Sequence, residues 1–214
     1  MRRHPQGTAS DLLPHPLERR HVRGEFICTP GGRADKVFVL QEGRARVFIA
    51  GEGKELTLAF LEPGEIFSTH SRAWVEAFTD CRVQVADTAG FQARLLAEPQ
   101  LTPVIIRVFA RLLAGSIGII ENLAFRDVPA RLANFLLERA RETDPALPPG
   151  LRVALVLRTE DIARLLGTTR QSVSSLITQL ERDGVVARDG RRTLILLDPA
   201  ELRRRAGAGG LSAG

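Results

Sequence analysis

The residues with the clearest chemical consequence lie between positions 159 and 180. Ala163 stands where two crossing helices need a small side chain, and Gly167 stands where the tight turn between them favours glycine. Apolar residues occupy the other positions that a helix-turn-helix requires, namely Ile162, Leu166, Val173 and Leu176. Any helical hairpin would match three of these positions, but the full set is specific for a helix-turn-helix, which places its second helix in the major groove of DNA.

The outward face of that second helix carries side chains that can read base edges. Arg170 can donate two hydrogen bonds to guanine O6 and N7, and Gln171 can pair with adenine N6 and N7. A solvated helix face is the alternative interpretation. We expect the DNA-contacting residues of this segment to be Thr169, Arg170, Gln171, Ser174 and Ser175.

A β-hairpin follows the motif. Val185–Arg188 and Arg192–Leu197 flank the dipeptide Asp189-Gly190, which favours a tight hairpin turn. The hairpin is the expected wing of a winged helix-turn-helix, and its basic tip would contact phosphates, which position a protein on DNA without specifying sequence. The predicted phosphate contacts are Arg188, Arg191 and Arg192.

The positive charge of the chain is concentrated in its C-terminal part. Residues 128–214 hold 14 basic and 10 acidic side chains, a net charge of +4, whereas residues 1–127 hold 16 and 15, a net charge of +1. Because nucleic acid attracts positive charge, this distribution agrees with DNA binding. All basic residues except Lys36 and Lys54 are arginine, for which genomic codon bias is the alternative explanation.

Composition and cysteine usage indicate the cellular context. Hydrophobic residues make up 44% of the 214 and charged residues 26%, which is typical of a folded domain. Cys28 and Cys81 are too few for a disulfide framework, a zinc site or an iron–sulfur cluster. Residues 1–10 lack the apolar core of a secretory signal, and no uninterrupted apolar run reaches the roughly 18–20 residues of a membrane span. We therefore expect a cytoplasmic protein with no membrane partner, and no catalytic constellation points to an enzyme.

Short strand-like segments separated by turns fill residues 25–87. The clearest are Val37–Leu40, Arg44–Ile49 and Leu56–Phe60. Turns at this spacing predict an antiparallel β-roll or barrel.

A long helix is predicted over residues 99–127. Its heptad seam is Ile105, Phe109, Leu112, Ser116, Ile119 and Leu123, and a flanking stripe is Ile106, Leu113 and Ile120. One seam could pack on its own domain, but the second stripe favours a helix that also pairs with a partner helix. Gly115 and Gly118 lower the local helix propensity and would allow bending or close approach.

These patterns divide the chain into four parts. The predicted parts are an N-terminal arm (1–24), a sensing β-roll (25–98), a dimerisation helix with its hinge (99–127), and a winged helix-turn-helix domain (128–214). Asp127 is the predicted hinge, because it can cap the helix that Val128 and Pro129 open. The expected fold class is α+β.

Over about residues 25–205 the chain resembles the CRP/FNR superfamily of transcription factors. The turn at Pro63-Gly64-Glu65, the helix ending at residues 121–127 (ENLAFRD) and the winged motif carry the resemblance. The cyclic-nucleotide-binding members have a phosphate-binding cassette that starts at Gly-Glu and ends at Arg-Ser/Thr-Ala. Here the loop after Glu65 is several residues shorter and contains His70, so a nucleotide would lose backbone donors. Oxygen-sensing members need a cysteine cluster, which two cysteines cannot supply.

Residues 67–73 (FSTHSRA) are instead similar to those of the CO-sensing haem regulators called CooA, as are residues 54–59 and 166–171. The resemblance implies one haem b per subunit, CO as the effector, and His70 as the iron ligand retained when CO binds. A neutral imidazole is a good iron ligand, although a lone histidine is more often structural. The resemblance also implies an apolar wall for the haem and CO, formed by Ile106, Phe109, Ala110 and Leu113.

The chain departs from the CooA pattern in two places. Ser68 stands where that family often has a cysteine that ligates ferric iron. The other axial ligand in the family is an N-terminal amine freed by removal of methionine, but Arg2 follows Met1 here and would prevent that removal. The expected distal ligand is the amine of Met1, with His4 as the alternative.

The resulting functional hypothesis is a haem-dependent, CO-sensing transcription activator. It would bind palindromic double-stranded DNA as a homodimer and contact RNA polymerase. One alternative is a haem-free CRP/FNR-type regulator of another small effector. A cyclic-nucleotide-regulated enzyme or scaffold is a third interpretation, against which the winged motif argues.

Overall fold

The computed structural model describes residues 13–31, 35–51, 53–190 and 192–207. A β-roll precedes a long helix and a C-terminal helical domain with a small sheet, which confirms the predicted α+β class. The strands are β1 Leu17–His21, β2 Phe26–Cys28, β3 Lys36–Glu42, β4 Ala45–Gly51, β5 Lys54–Leu61, β6 Ile66–Ser68, β7 Trp74–Ala77, β8 Cys81–Asp87, β9 Leu151–Ala154, β10 Val186–Arg188 and β11 Thr193–Leu196. The helices are α1 Thr88–Ala97, α2 Thr102–Phe125, α3 Val128–Thr143, α4 Thr159–Leu165, α5 Arg170–Arg182 and α6 Pro199–Gly207, with a 3₁₀ turn at Pro99–Leu101.

Two four-stranded antiparallel sheets form the roll. Their strand orders are β1-β8-β3-β6 and β2-β7-β4-β5. Because side chains alternate across a strand, Phe38 and Leu40 of β3 point into the roll, where they meet Val47, Val75 and Val83. These five residues are at most 3% exposed and form the centre of the core. The predicted segments of residues 37–40, 44–49 and 56–60 coincide largely with β3, β4 and β5.

The opposite face of β3 is buried as well. Val37 and Val39 pack in a second apolar cluster with Ile66 of β6 and Ile105 of α2. Partly buried Phe91 of α1 covers the same cluster. The roll therefore has an inner core and an outer one, and α1 and the start of α2 close the outer one.

One glycine in the roll is required by the backbone. Gly43, between β3 and β4, has a φ of +83°, and a Cβ at this position would lie 2.1 Å from the carbonyl oxygen of Asp80. No other residue fits this close approach of two turns without displacing one of them.

The prediction of an arm over residues 1–24 is wrong for its last part. Leu17–His21 is strand β1, which pairs along its whole length with β8. Its side chains are exposed apart from His21, so the segment shows no apolar alternation and backbone pairing alone defines it. Helix α1 lies at the end of the predicted β-roll domain (25–98) and was not predicted; none of its residues is fully buried.

The C-terminal domain is built around α3. Asp127 caps this helix as predicted, since its Oδ1 accepts a hydrogen bond of 2.9 Å from the backbone N–H of Ala130. Leu132 and Leu136 of α3 and Leu202 of α6 are at most 3% exposed and form the core. A three-stranded antiparallel sheet with the order β10-β11-β9 completes the domain.

The chain separates into two compact units, Met1–Ile117 and Gly118–Gly214. The division falls inside α2, whereas the sequence suggested boundaries at residues 98 and 127. The long helix thus contributes to both units. Ile105–Phe125 is long and apolar enough to cross a membrane, but the core helix of a soluble protein can meet the same two criteria.

Candidate functional site

Helices α4 and α5 form the predicted helix-turn-helix. Ala163 is 2% exposed and Val173 is fully buried, as the crossing of the two helices requires. Gly167 has a φ of 62° in the turn, and the N–H of Thr168 donates to the carbonyl of Ala163 over 2.9 Å. The turn therefore needs the left-handed conformation that glycine adopts without strain.

The second helix begins at Arg170, and Thr169 is its N-cap. The Oγ1 of Thr169 accepts a hydrogen bond of 3.1 Å from the N–H of Ser172. A side-chain oxygen at this position satisfies a backbone donor that the helix leaves unpaired. Thr169 thus has a structural task in addition to any DNA contact.

The exposed face of α5 is the one that the sequence indicated. Val173, Ile177 and Leu180 are buried on the inner face. The outer face exposes Arg170, Gln171, Ser174 and Ser175. Farther along, Gln179 donates to Asp183 over 2.8 Å. Arg170 and Gln171 are the long exposed side chains at the first turn of α5.

The wing is a hairpin of β10 and β11 around Asp189-Gly190, as predicted. Arg188 is exposed and its Nε donates to Glu181 of α5 over 2.9 Å, so its predicted phosphate contact would compete with this ion pair. Arg192 is exposed. Arg152 of β9 forms an ion pair with Asp189 and holds the turn, a role that the sequence analysis missed. Arg191 lies outside the described residues.

His70 follows β6 and is exposed, with 58% of its side chain accessible. Its Nδ1 is 2.8 Å from the Oγ of Ser68, and its Nε2 is 2.9 Å from Oδ1 of Asp35. Asp35 is itself 66% exposed, so the pair stabilises little, about 0–1 kcal/mol. The imidazole can therefore leave Asp35 at small cost.

An apolar cavity of about 200 Å³ lies next to this histidine in the first unit. Strands β3 and β6 form one side of it and helices α1 and α2 the other. Its lining residues are Val37, Ile66, Phe67, Ser68, Thr88, Phe91, Gln92, Ile105, Val108 and Phe109. His70 does not line the cavity, but it is two residues beyond Ser68, which does.

The α2 residues that the resemblance suggested for the haem wall divide into two groups. Phe109 lines the cavity, together with Ile105 and Val108, which the sequence analysis did not assign to it. Ile106, Ala110 and Leu113 do not line the cavity and are exposed. A helix places residues three and four positions apart on one face, so Ile105, Val108 and Phe109 form a consistent wall.

The segment that would bind a cyclic nucleotide has a different use here. The Glu65 carboxylate accepts a hydrogen bond of 3.0 Å from the backbone N–H of Glu62, and the N–H of Glu65 donates to the carbonyl of Glu62. The glutamate of the Gly64-Glu65 pair thus stabilises its own turn. Thr69–Ala73 connects β6 directly to β7, without the longer loop of a nucleotide cassette.

Both cysteines lie in the inner core of the roll. Cys28 and Cys81 are buried, and desolvation raises the pKa of both thiols. They are therefore protonated at neutral pH and are poor metal ligands. Within the described ranges no group of three or more His, Cys, Asp or Glu side chains could hold a metal ion, but haem iron is held by the porphyrin and axial ligands alone. Met1 and His4 lie outside the described residues.

The exposed side of α2 carries an apolar stripe. Ile106, Leu113 and Ile120 recur every seven residues and are each more than 60% exposed, and Phe109 is 63% exposed. Ile105, which the sequence placed on the heptad seam, is instead buried against the roll. The surface offered to a partner helix is therefore the predicted flanking stripe, joined by Phe109 and Leu123.

Comparison with known proteins agrees with both parts of the fold. The profile of the Crp-like helix-turn-helix domain matches residues 130–205, and that of the cyclic nucleotide-binding domain matches residues 18–97. The structure of a CooA double mutant from Carboxydothermus hydrogenoformans is similar with a TM-score of 0.80 and 38% identity, over 89% of this chain and 88% of that one. The reduced (Fe(II)) CO-sensing protein from R. rubrum is 30% identical with a TM-score of 0.53, over 95% of each chain. The global nitrogen regulator of Synechococcus elongatus is 28% identical over 208 residues, 92% of each chain.

The chain belongs to the CRP/FNR superfamily of DNA-binding transcription regulators. Within that superfamily it resembles CooA. Regulators of this superfamily are dimeric, act in the cytoplasm and are generally not enzymes.

Proposed function

We propose that this protein is a haem-dependent CO sensor that activates transcription by binding palindromic DNA as a dimer. The observation that carries the proposal is the apolar cavity under α2, with a histidine beside its rim, in a chain 38% identical to CooA. A regulator of the same superfamily that binds another effector without haem is the second candidate. The nitrogen regulator at 28% identity supports it only at the level of the superfamily.

The residues at the cavity fit a haem with one adjustment. The lining is almost wholly apolar, which suits a porphyrin, and His70 can release Asp35 to present a nitrogen. The volume of about 200 Å³ is below the roughly 300–1,000 Å³ of small-molecule sites, so a wall must move. Helix α1 is the wall best able to move, because none of its residues is fully buried.

The chain's own residues then have distinct tasks. His70 would hold the iron, which supplies the site at which CO binds. Ile105, Val108 and Phe109 would exclude water from the distal side and transmit a change in its packing to α2. The amine of Met1, or His4 in its place, would be the ligand that CO displaces, since releasing a terminal segment costs little. Contacts with RNA polymerase follow from the activator role.

The purified protein tests the proposal through its visible spectrum. The wild type should bind one haem per subunit and show a Soret band that shifts when CO is added to the reduced form. His70→Ala should lose or disorder the haem while keeping the fold, whereas His15→Ala, which removes an exposed imidazole outside the site, should leave the spectrum unchanged. A wild-type protein that folds but binds no haem would favour the haem-free regulator.

Removal of the first few residues tests the other axial position. The ferrous spectrum should change while CO binding is retained, and His4→Ala distinguishes the imidazole from the Met1 amine. A truncated protein with an unaltered ferrous spectrum would place the distal ligand elsewhere in the chain.

A further inference from the structure

The wing of the C-terminal domain is joined to the recognition helix by an ion pair. Arg188 ends β10, and its Nε donates a hydrogen bond of 2.9 Å to Oε2 of Glu181 in the last turn of α5. The side chain of Arg188 is 47% exposed and that of Glu181 is 26% exposed, so the carboxylate is partly shielded from water. The pair thus lies between the two elements that are expected to contact DNA.

The backbone between the two residues is short and hydrogen-bonded. The N–H of Gly184 donates to the carbonyl of Glu181 over 3.1 Å, and the N–H of Val185 donates to the carbonyl of Leu180 over 2.9 Å. β10 begins at the next residue and pairs in register with β11. Because this connection holds the start of β10 against the end of α5, little chain freedom is lost when the ion pair forms.

A second ion pair holds the turn of the wing. Arg152 of β9 pairs with the carboxylate of Asp189, and the N–H of Asp189 donates to the carbonyl of Thr193 over 3.0 Å. The hairpin is therefore attached to β9 as well as to α5. A phosphate can recruit Arg188 only by drawing its side chain away from Glu181.

We propose that Glu181 keeps Arg188 from binding phosphate and thereby lowers the affinity of the protein for non-specific DNA. Moving the guanidinium from the carboxylate to a phosphate would exchange one charge-assisted hydrogen bond for another, so the move gains little. It would also leave the partly buried carboxylate of Glu181 without its donor, which is unfavourable. Arg188 therefore adds no phosphate contact while Glu181 is present.

The proposed effect falls on the part of binding that does not depend on sequence. Contacts with phosphates supply essentially all of the free energy of non-specific binding, and each contact increases its dependence on salt. The base contacts expected of Arg170 and Gln171 belong to other side chains and do not require Arg188. Glu181 therefore limits how tightly the domain holds DNA that lacks an operator, with or without haem in the first unit.

The experiment measures the affinity of the full-length protein for poly(dI-dC), a duplex without an operator, over a series of salt concentrations. Each phosphate contact adds about 0.9 to the slope of log K against log salt concentration. Glu181→Gln keeps the shape of the side chain and removes its charge, so the affinity should rise and the slope should steepen by about 0.9 for each wing on the DNA. Glu181→Gln combined with Arg188→Gln should restore the wild-type slope, because the released guanidinium is then absent.

Glu142→Gln is the matched control. Glu142 forms an ion pair with Arg139 on α3, outside the helix-turn-helix and the wing, and its substitution changes the net charge by the same amount. Its salt slope should equal that of the wild type. Circular dichroism should show the same fold for every variant, since the substituted side chains lie at the surface of the domain.

Three results would overturn the proposal. An unchanged slope in Glu181→Gln would mean that Arg188 does not reach phosphate even when it is released. Equal steepening in Glu181→Gln and in the double variant would assign the effect to the lost carboxylate and not to Arg188. A slope that flattens by about 0.9 per wing in Arg188→Gln alone would show that the arginine already leaves Glu181 for phosphate in the wild type.

Discussion

The side chains of Arg170 and Gln171 can each form two hydrogen bonds with the edge of one base. Both are exposed at the first turn of α5, on a helix whose opposite face is fixed by Val173 and Ile177. Ser174 and Ser175 are short and follow one turn later. Sequence discrimination should therefore be concentrated in the first turn of the recognition helix.

Arg170→Ala and Gln171→Ala should each weaken binding to the preferred operator by about 1–3 kcal/mol, because each would lose a bidentate contact with one base. Each change should also relax the preference at a single base pair, which selection from a randomised operator library measures. Arg192→Ala is the matched control, since an exposed wing arginine that contacts phosphate should weaken all sequences alike. Unchanged preference in Arg170→Ala would contradict the assignment of the reading face.

Single residues differed in how well they could be predicted. Ala163 and Gly167 were predictable because one helix crossing and one left-handed turn each admit few residue types. Arg188 was not, because its partner Glu181 lies on another element and the pairing depends on tertiary structure. The contact of His70 with Asp35 was out of reach for the same reason.

Helix α2 uses two of its faces for different purposes. Ile105 packs into the outer core of the roll, and the stripe with Leu113 and Ile120 remains uncovered. Apolar residues repeated every seven positions are typical of paired helices. The helix therefore connects the wall of the cavity to the surface expected between two subunits.

Leu113→Glu should convert the dimer to monomers, because two such changes would place like charges opposite each other across the helix pair. Sedimentation velocity over a range of protein concentrations measures this. Ala114→Glu introduces the same charge one residue away, on an exposed position outside the stripe, and should stay dimeric. A dimeric Leu113→Glu variant would move the interface to another surface.

Gly115 and Gly118 lower the helix propensity of α2 at positions where neither the backbone conformation nor a close contact requires glycine. A Cβ at either position would meet no atom within 4 Å in the described protomer, and neither residue has the positive φ that excludes other side chains. Replacing each with alanine should stabilise the helix by up to about 1 kcal/mol. Thermal unfolding measures the gain. A loss of stability at either position would indicate that the glycine allows a close approach in the dimer.

Elements with internal periodicity were predictable from the sequence, and those defined by pairing were not. Strands β3 to β5 alternate or carry dense β-branched and aromatic residues, and turns bound them. β1 has exposed side chains and is a strand only because β8 lies beside it. α1 buries no residue fully, so its sequence carries no clear apolar face.

At the scale of the whole molecule, residues of α2 belong to both compact units, and the proposed sensor site lies in the first of them. The division between the compact units falls inside α2, between Ile117 and Gly118. In the proposed switch, a change at the cavity wall would act on α2, and Asp127 caps α3, the first helix of the C-terminal domain. An effector can act through this connection only if it binds the two states with different affinity.

CO and operator DNA should therefore strengthen each other's binding by the same factor. A typical coupling of about 1–3 kcal/mol corresponds to roughly 5–150-fold. Titrating the reduced protein with CO, with and without operator, measures one side, and titrating DNA with and without CO measures the other. Equal CO affinities in the two titrations would refute a coupled switch even if haem and DNA both bind.

The burial of both thiols leaves the surface of the native chain without reactive sulfur. A cysteine introduced at exposed Ser174 would be the group that takes a spin label, with no need to remove Cys28 or Cys81 first. In a symmetric dimer the two labels would sit one on each recognition helix. Electron paramagnetic resonance would then measure the distance between the two labels as CO and DNA are added. Recognition helices in adjacent major grooves lie roughly 34–36 Å apart.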